Sequence, residues 1–283
     1  MGRKKSSFVA DIFTGIGKGI AWIVVNIFKA IWFLILGLFK GIKAATKATA
    51  HAASKAHHDS KVRAEQPKTP ATYDAMKEST AIKGSIQSFE QRLLNESLIL
   101  AVAGRRGSGK SVLGFRIMEN IHAKTGRPCF ALGVKQSVLP AWISAIDEIH
   151  QVANRGVVLV DEGAISFSSR ESMSKSNRGL GPLLAVARHK DLTLIFITQN
   201  TGMIDKNVLN LCDTVVLKEG SLLQEKMERS VMKDLYQTAN SAISKIPAEE
   251  RKPYCYIFDA EFEGLAQASL PSFWSSKVSK NQA

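Results

Sequence analysis

Cysteine is scarce in this 283-residue chain. There are three, Cys129, Cys212 and Cys255, far apart and with no Cys-x-x-Cys pair. That spacing offers neither a disulfide framework nor a thiolate metal cluster, and suits buried thiols in a reducing compartment. No internal repeat is visible. Acidic residues are short in one place: residues 1–80 hold 13 Lys/Arg against 5 Asp/Glu, whereas residues 81–283 hold 25 against 20. Most of the formal charge of +13 therefore sits at the N-terminal end. Such a surplus points first to an anionic membrane surface and second to nucleic acid. A mean hydropathy of −0.03 with 45% hydrophobic residues suits a folded chain rather than a disordered one.

One long hydrophobic run is present, GIAWIVVNIFKAIWFLILGLF at residues 19–39. As a helix its 21 residues would span ~31 Å, about one bilayer core. No small-residue cleavage site stands clearly after it, so a secretory signal peptide fits poorly. Asn26 and Lys29 interrupt it, and Lys18, Lys29 and Lys40 fall on one helical line, as in a helix lying in the membrane interface. Trp22, Phe33 and Leu36 narrow that polar face. A mid-bilayer Lys costs ~3 kcal/mol, which the surrounding Ile, Leu and Phe offset, so spanning is preferred to lying flat. A core helix against a partner subunit is the third reading. The opening MGRKKS fits an N-myristoylation pattern, but reads more simply as a positive flank that stays cytoplasmic.

The predicted organisation is a basic, hydrophobic membrane-associated helix over 1–43 and an Ala/Lys-rich linker over 44–80. An α/β domain follows over 81–270, and a tail over 271–283. His51, His57 and His58 lie in the linker, where solvated side chains are preferred to a metal site. From about residue 81 apolar strands alternate with helices. The strands are SLILAVAG (97–104), PCFALG, GVVLVDE (156–162), LTLIFITQN (192–200) and DTVVLKE, with KPYCYIFDAEFEG as a single closing strand. The helices are SVLGFRIMENIHAKTG (111–126), LPAWISAIDEIHQVAN, GLGPLLAVARHK and SLLQEKMERSVMKDLYQTAN. Continuous apolar strands between helices predict a three-layer α/β domain with a parallel sheet.

Gly104-Arg105-Arg106-Gly107-Ser108-Gly109-Lys110-Ser111 satisfies G-x-x-x-x-G-K-[ST] between a predicted strand and a predicted helix. The glycines let backbone N–H groups turn inward around phosphates, and the helix beginning near Ser111 adds its positive end. Lys110 is expected on the β- and γ-phosphates of ATP, and the Ser111 hydroxyl on Mg²⁺. Asp161 closes the apolar run Val157 to Val160, where a carboxylate can hold the Mg²⁺ shell. Glu162 beside it can accept a proton from attacking water. Gln199 ends a further strand, where it can sense the γ-phosphate; taken alone it reads better as an ordinary strand-ending turn. The Ser-rich loop SFSSRESMSKSNRG (166–179) is equally a phosphate-gripping channel loop and a plain surface loop.

AVAGRRGSGKS, VVLVDEGA and ARHKDLTLIFITQNTGMIDKNVLNLCDTVVL resemble the FtsK/HerA superfamily of ring-forming DNA-pumping ATPases over about residues 97–265. The layout is similar to viral genome-packaging ATPases, conjugation coupling proteins and Zot-like phage assembly ATPases. The resemblance implies a RecA-like (ASCE) P-loop NTPase fold, ATP hydrolysis, a homo-oligomeric ring (a hexamer), double-stranded DNA as substrate and capsid or assembly proteins as partners. The run at 19–39 predicts a membrane location with the ATPase domain cytoplasmic, and the resemblance to packaging ATPases implies association with a virion as the other location. Arg188 in ARHK is then the arginine finger acting on a neighbouring subunit, with Arg178 and Arg170 as rivals. Three alternatives stand beside a DNA motor: a Zot-like extrusion ATPase, a P-loop kinase and a nonhydrolysing nucleotide-binding scaffold. Asp161–Glu162 counts against the last two.

Overall fold

The structure, a computed structural model, describes residues 68–161, 181–199, 210–221, 223–224 and 230–275. All belong to one compact unit, residues 63–283. The hydrophobic run 19–39, Glu162, the Ser-rich loop, Arg170 and Arg178 lie outside the described residues. Among the described residues no helix is long and apolar enough to cross a membrane.

The elements in chain order are β1 (Lys77–Gly84), α1 (Ile86–Asn95), β2 (Ile99–Ala103), α2 (Lys110–Thr125), β3 (Cys129–Leu132), β4 (Ile143–Ile146) and β5 (Val157–Asp161). Then come α3 (Gly181–His189), β6 (Thr193–Thr198), β7 (Thr214–Leu217), α4 (Ser230–Ile243), β8 (Tyr254–Phe258) and β9 (Phe262–Gln267). The strands form one mixed sheet in the order β1-β9-β8-β7-β2-β6-β5-β3-β4. From β7 to β4 all pairings are parallel; β8, β9 and β1 extend the sheet antiparallel.

The continuous apolar strands are explained by burial on both faces. Along β5, Val157 and Leu159 join the core under α1 and α2, while Val158 and Val160 join the core under α3. β6 repeats this, with Ile195 and Ile197 on one side and Leu194 and Phe196 on the other. Successive strand side chains point to opposite faces, so a strand covered on both faces carries no polar alternation. A third cluster packs Met232, Tyr236, Ala239 and Ile243 of α4 onto Leu217, Tyr256 and Leu265. The result is helix–sheet–helix layering, as the sequence pattern predicts.

Helix ends follow local chemistry. The side chain of Ser85 caps α1 by accepting from the Ser88 N–H, and Ile86, Phe89 and Leu93 supply its buried face. α2 stops where Gly126 turns left-handed and returns its N–H to the His122 carbonyl. α2 lies close on the sheet because Gly114 faces it: a methyl there would stand 3.1 Å from both Ile197 and Leu159.

Four expectations are corrected. LPAWISAIDEIHQVAN is not a helix: it forms β4, flanked by 3₁₀ turns at Gln136–Val138 and Ile149–Gln151. The i, i+3 spacing of Ile143, Ile146 and Ile149 suits a helix equally, but the exposed edge of β3 takes the segment as a parallel strand. The Gln136 amide then seals the outer edge, donating to the Ile143 carbonyl at 2.9 Å and accepting from the Ala145 N–H at 2.5 Å. KPYCYIFDAEFEG is not one strand but the β8–β9 hairpin, turned where the Asp259 carboxylate accepts from the Glu261 N–H. The folded body also begins before residue 81. Lys77 to Thr80 are part of β1, and the Thr72 N–H donates to Glu119 of α2. Nor is the start of the tail free, because Pro271 and Phe273 are buried and Ser272 donates to Glu119.

Candidate nucleotide-binding site

Parallel strands bring their C-terminal ends to one edge of the sheet. The register makes this concrete. Ala103 pairs with Thr198 on one side and Leu217 on the other, and Asp161 pairs with Ile197. The residues that follow these ends therefore converge: the loop 104–111 after β2, Asp161 at the end of β5, Gln199 after β6 and Lys218 after β7. At ~4.8 Å per strand spacing, Asp161 stands two strands, about 10 Å, from the start of the loop. β6 lies between β2 and β5, which opens room for a phosphate chain between loop and carboxylate.

The loop has the backbone its glycines allow. Gly104, Gly107 and Gly109 have φ of 151°, 76° and 92°, and Gly109 is the residue from which α2 starts. At Gly104 a side chain is sterically impossible, since its Cβ would come within 2.8 Å of the Lys218 Cβ and 3.0 Å of the Ser108 Oγ. Lys110 is buried, and its ammonium donates to the Arg105 carbonyl at 2.9 Å, across the mouth of the loop. Ser108 Oγ is buried with no hydrogen-bond partner in the protein, although it lies in the cradle. A buried hydroxyl in that state is costly unless a ligand satisfies it, and a phosphate oxygen fits it. The loop thus offers a donor-rich concavity for a polyphosphate.

Arg105 is committed elsewhere. Its N–H donates to the Glu219 carbonyl at 3.0 Å, and its guanidinium pairs with the Glu219 carboxylate at 2.6 Å. Arg251 takes the other carboxylate oxygen at 2.9 Å. Burial alone would raise the Glu219 carboxyl, but hydrogen bonds from Arg105 and Arg251 carry its pKa below the ordinary value. Arg105 therefore pins the loop to the end of β7 rather than presenting its side chain to phosphate.

The loop opens into a cleft of about 1040 Å³. Lys110, Ser111 and Arg106 lie on one side, with Asp161 and Gln199 on the strand ends. Pro253, Leu270 and Trp274 add apolar lining to the cleft. The structure thus brings together the predicted Lys110, Ser111, Asp161 and Gln199. It does not bring Arg188 to them: that exposed residue is in the last turn of α3, before β6 begins, at the opposite end of the sheet. Among the described residues there is no cluster of three His, Cys, Asp or Glu side chains fit for a metal ion. Ser111 and Asp161 alone suit Mg²⁺, which keeps most of its shell as water and phosphate oxygen.

Lys218, Glu219 and Arg251 were missed by sequence reasoning. Lys218 could have been found, because it ends the apolar strand TVVL as Asp161 ends VVLV. Glu219 and Arg251 left no such signal, since their pairing depends on a contact across 32 residues.

Fold and site together define an α/β domain with a mixed nine-stranded sheet and a glycine-rich phosphate-type loop at its strand ends. No protein-family model matches the chain, and no curated protein matches it. Among solved structures it is similar to the genome-packaging NTPase B204 of Sulfolobus turreted icosahedral virus 2 in complex with ATP-γS. The identity there is 14% and the TM-score 0.43, covering 62% of this chain and 99% of that one. It is also similar to the pCW3 conjugation coupling protein TcpA with ATP-γS (14% identity, TM-score 0.45, 76% of this chain and 73% of that one). A third is the cytoplasmic domain of the Thermomonospora curvata type VII secretion ATPase EccC (13%, TM-score 0.41, 72% and 28%). At such identities and TM-scores the likeness carries no residue's role across to this chain.

Proposed function

We propose that this protein is an ATPase that moves double-stranded DNA as a membrane-associated homo-oligomeric ring, a viral genome-packaging or DNA-transfer motor. The observation that carries the ATPase reading is the convergence of Lys110, Ser111, Asp161 and Gln199 on one cleft beneath the phosphate loop. The DNA substrate rests on the sequence resemblance of residues 97–265. The proteins of similar fold include one named for genome packaging and one for conjugation. Membrane attachment rests on the basic, hydrophobic run at 19–39.

In this reading the loop amides, the Ser108 hydroxyl and Lys110 hold the triphosphate of ATP. Ser111 and Asp161 hold Mg²⁺, which when bound draws charge off the phosphate oxygens. Glu162 takes the proton of the attacking water, and Gln199 orients that water or senses the γ-phosphate. Arg188, exposed at the far end of the sheet from its own cleft, acts in a neighbouring subunit of the ring.

The test is steady-state ATP hydrolysis by the full-length chain with and without double-stranded DNA. DNA should stimulate turnover, and Glu162→Gln should lower it about 100-fold or more while leaving ATP binding intact. Robust hydrolysis indifferent to DNA would replace the DNA motor with a Zot-like extrusion ATPase. Absence of hydrolysis by the assembled ring would end the ATPase reading.

A further inference from the structure

A buried ammonium lies under the phosphate loop, and among the described residues no carboxylate forms an ion pair with it. Lys218 is 2% exposed. Its side chain runs along the floor of the loop: a Cβ at Gly104 would stand 2.8 Å from Lys218 Cβ, and one at Gly109 would stand 3.7 Å from its Cε and 3.9 Å from its Nζ. The ammonium donates to two backbone carbonyls at the start of β8, that of Lys252 and that of Tyr254, the latter at 2.6 Å. Lys218 also lines the cleft.

Taking a charge out of water is costly unless an opposite charge or ample hydrogen bonding replaces the water. Two carbonyls answer only part of that need. The nearest carboxylate in sequence, Glu219, is occupied by Arg105 and Arg251. Burial accordingly pulls the ammonium down to about 8. Among the described groups, Cys255 of β8 acts on it but is a buried thiol pushed up to about 11; of the other charged residues lining the cleft, Glu249 is exposed, Asp161 ends a strand three places away in the sheet, and Arg106, Lys110 and Lys252 are themselves cations. Among the described residues no carboxylate pairs with Lys218, and the feature beside it built to hold an anion is the loop above it.

We infer that Lys218 is a second, fixed cation for the bound polyphosphate, a positioning residue that acts from beneath the loop on the phosphate nearest Gly104 and Gly109. The inference rests on the nucleotide reading of the loop. The division of labour follows from geometry. Lys110 starts a helix and can swing from the Arg105 carbonyl to a ligand. Lys218 is clamped by two carbonyls, one just before β8 and one at its first residue, so its charge stays where it is whether or not nucleotide is present. The loop cradles the α- and β-phosphates, so its effect should fall on nucleotides that carry a β-phosphate.

The experiment is equilibrium binding of ATP, ADP and AMP to the full-length chain and to Lys218→Met, with Lys218→Gln as a second variant that keeps an amide donor for the carbonyls. Loss of about tenfold or more in ATP and ADP affinity, with AMP changed less than twofold, is the expected result. An equal loss for all three nucleotides would make Lys218 merely structural and overturn the inference. So would unchanged binding, or failure of both variants to fold. Wild-type protein that binds none of the three would be a different failure, that of the nucleotide reading itself.

Discussion

At the scale of single residues, buried charge decides most of what is specific to this protein. Lys218 gives a pH dependence whose sign can be worked out. Its pKa falls from an ordinary 10.5 to about 8 in the folded state. At pH 7 it is charged in both folded and unfolded chains, so the cost of its burial is fully present. As pH rises from about 8 to 10.5 the folded chain sheds this proton first, and the cost is relieved. The nucleotide-free protein should therefore gain stability over that window, on the order of 3 kcal/mol. The buried thiols of Cys129 and Cys255 and the half-buried thiol of Cys212, with pKa values raised by burial, act oppositely above pH 9. The quantity to measure is thus the difference in urea unfolding between wild type and Lys218→Met at pH 7, 8 and 9.5. A flat difference would refute the assignment. Lys110 and Ser111 were legible in sequence from the glycine-rich loop motif and Asp161 from the apolar run it ends, whereas Gln199 alone looked like an ordinary strand-ending turn. Glu219 was not, because its role comes from Arg105 and Arg251, which only the fold brings to it.

At the scale of elements, α2 is the central strut. It begins at the phosphate loop and buries an ion pair on its second and third turns, Arg116 with Glu119 at 3.3 Å, both nearly inaccessible. Around that pair the helix binds the two ends of the unit. Glu119 accepts from Thr72 and Ser272, while Arg116 donates to the carbonyls of Thr72 and Leu270. Leu270 also lines the nucleotide cleft. Glu119→Ala would strand the Arg116 cation and release both segments, a loss of about 3–5 kcal/mol. Chemical denaturation should register it as a lowered midpoint, whereas Glu119→Gln, which keeps acceptor and size, should lose distinctly less. The helix itself was plain from its apolar positions and Gly126. β4 was not, because a short apolar run fits both periods and the vacant edge of β3 decided between them.

At the scale of the whole molecule, the sheet is finished by residues that composition assigns to linker. Residues 72–80 contribute half of β1 and satisfy buried acceptors on both helices of one layer: Met76 N–H donates to Glu90 at 2.7 Å, and Asp74 N–H to Asn120 at 3.0 Å. A fragment starting at residue 81 should therefore melt about 10 °C below one starting at residue 63, since several buried polar groups lose partners. Equal melting temperatures in a thermal scan would show that β1 adds nothing. The layers, the loop and the place of Asp161 at a strand end could be read from the chain alone, because they depend on burial periodicity and on glycine stereochemistry, which are local. Three things came from long-range contacts instead: that the sheet takes in residues before 81, which way the segment 139–154 folds, and that a lysine after β7 lies under the phosphate loop. Each of those depends on what a distant segment leaves unpaired, whether a strand edge, a buried carboxylate or an uncompensated charge, and no stretch of sequence carries its partner's needs.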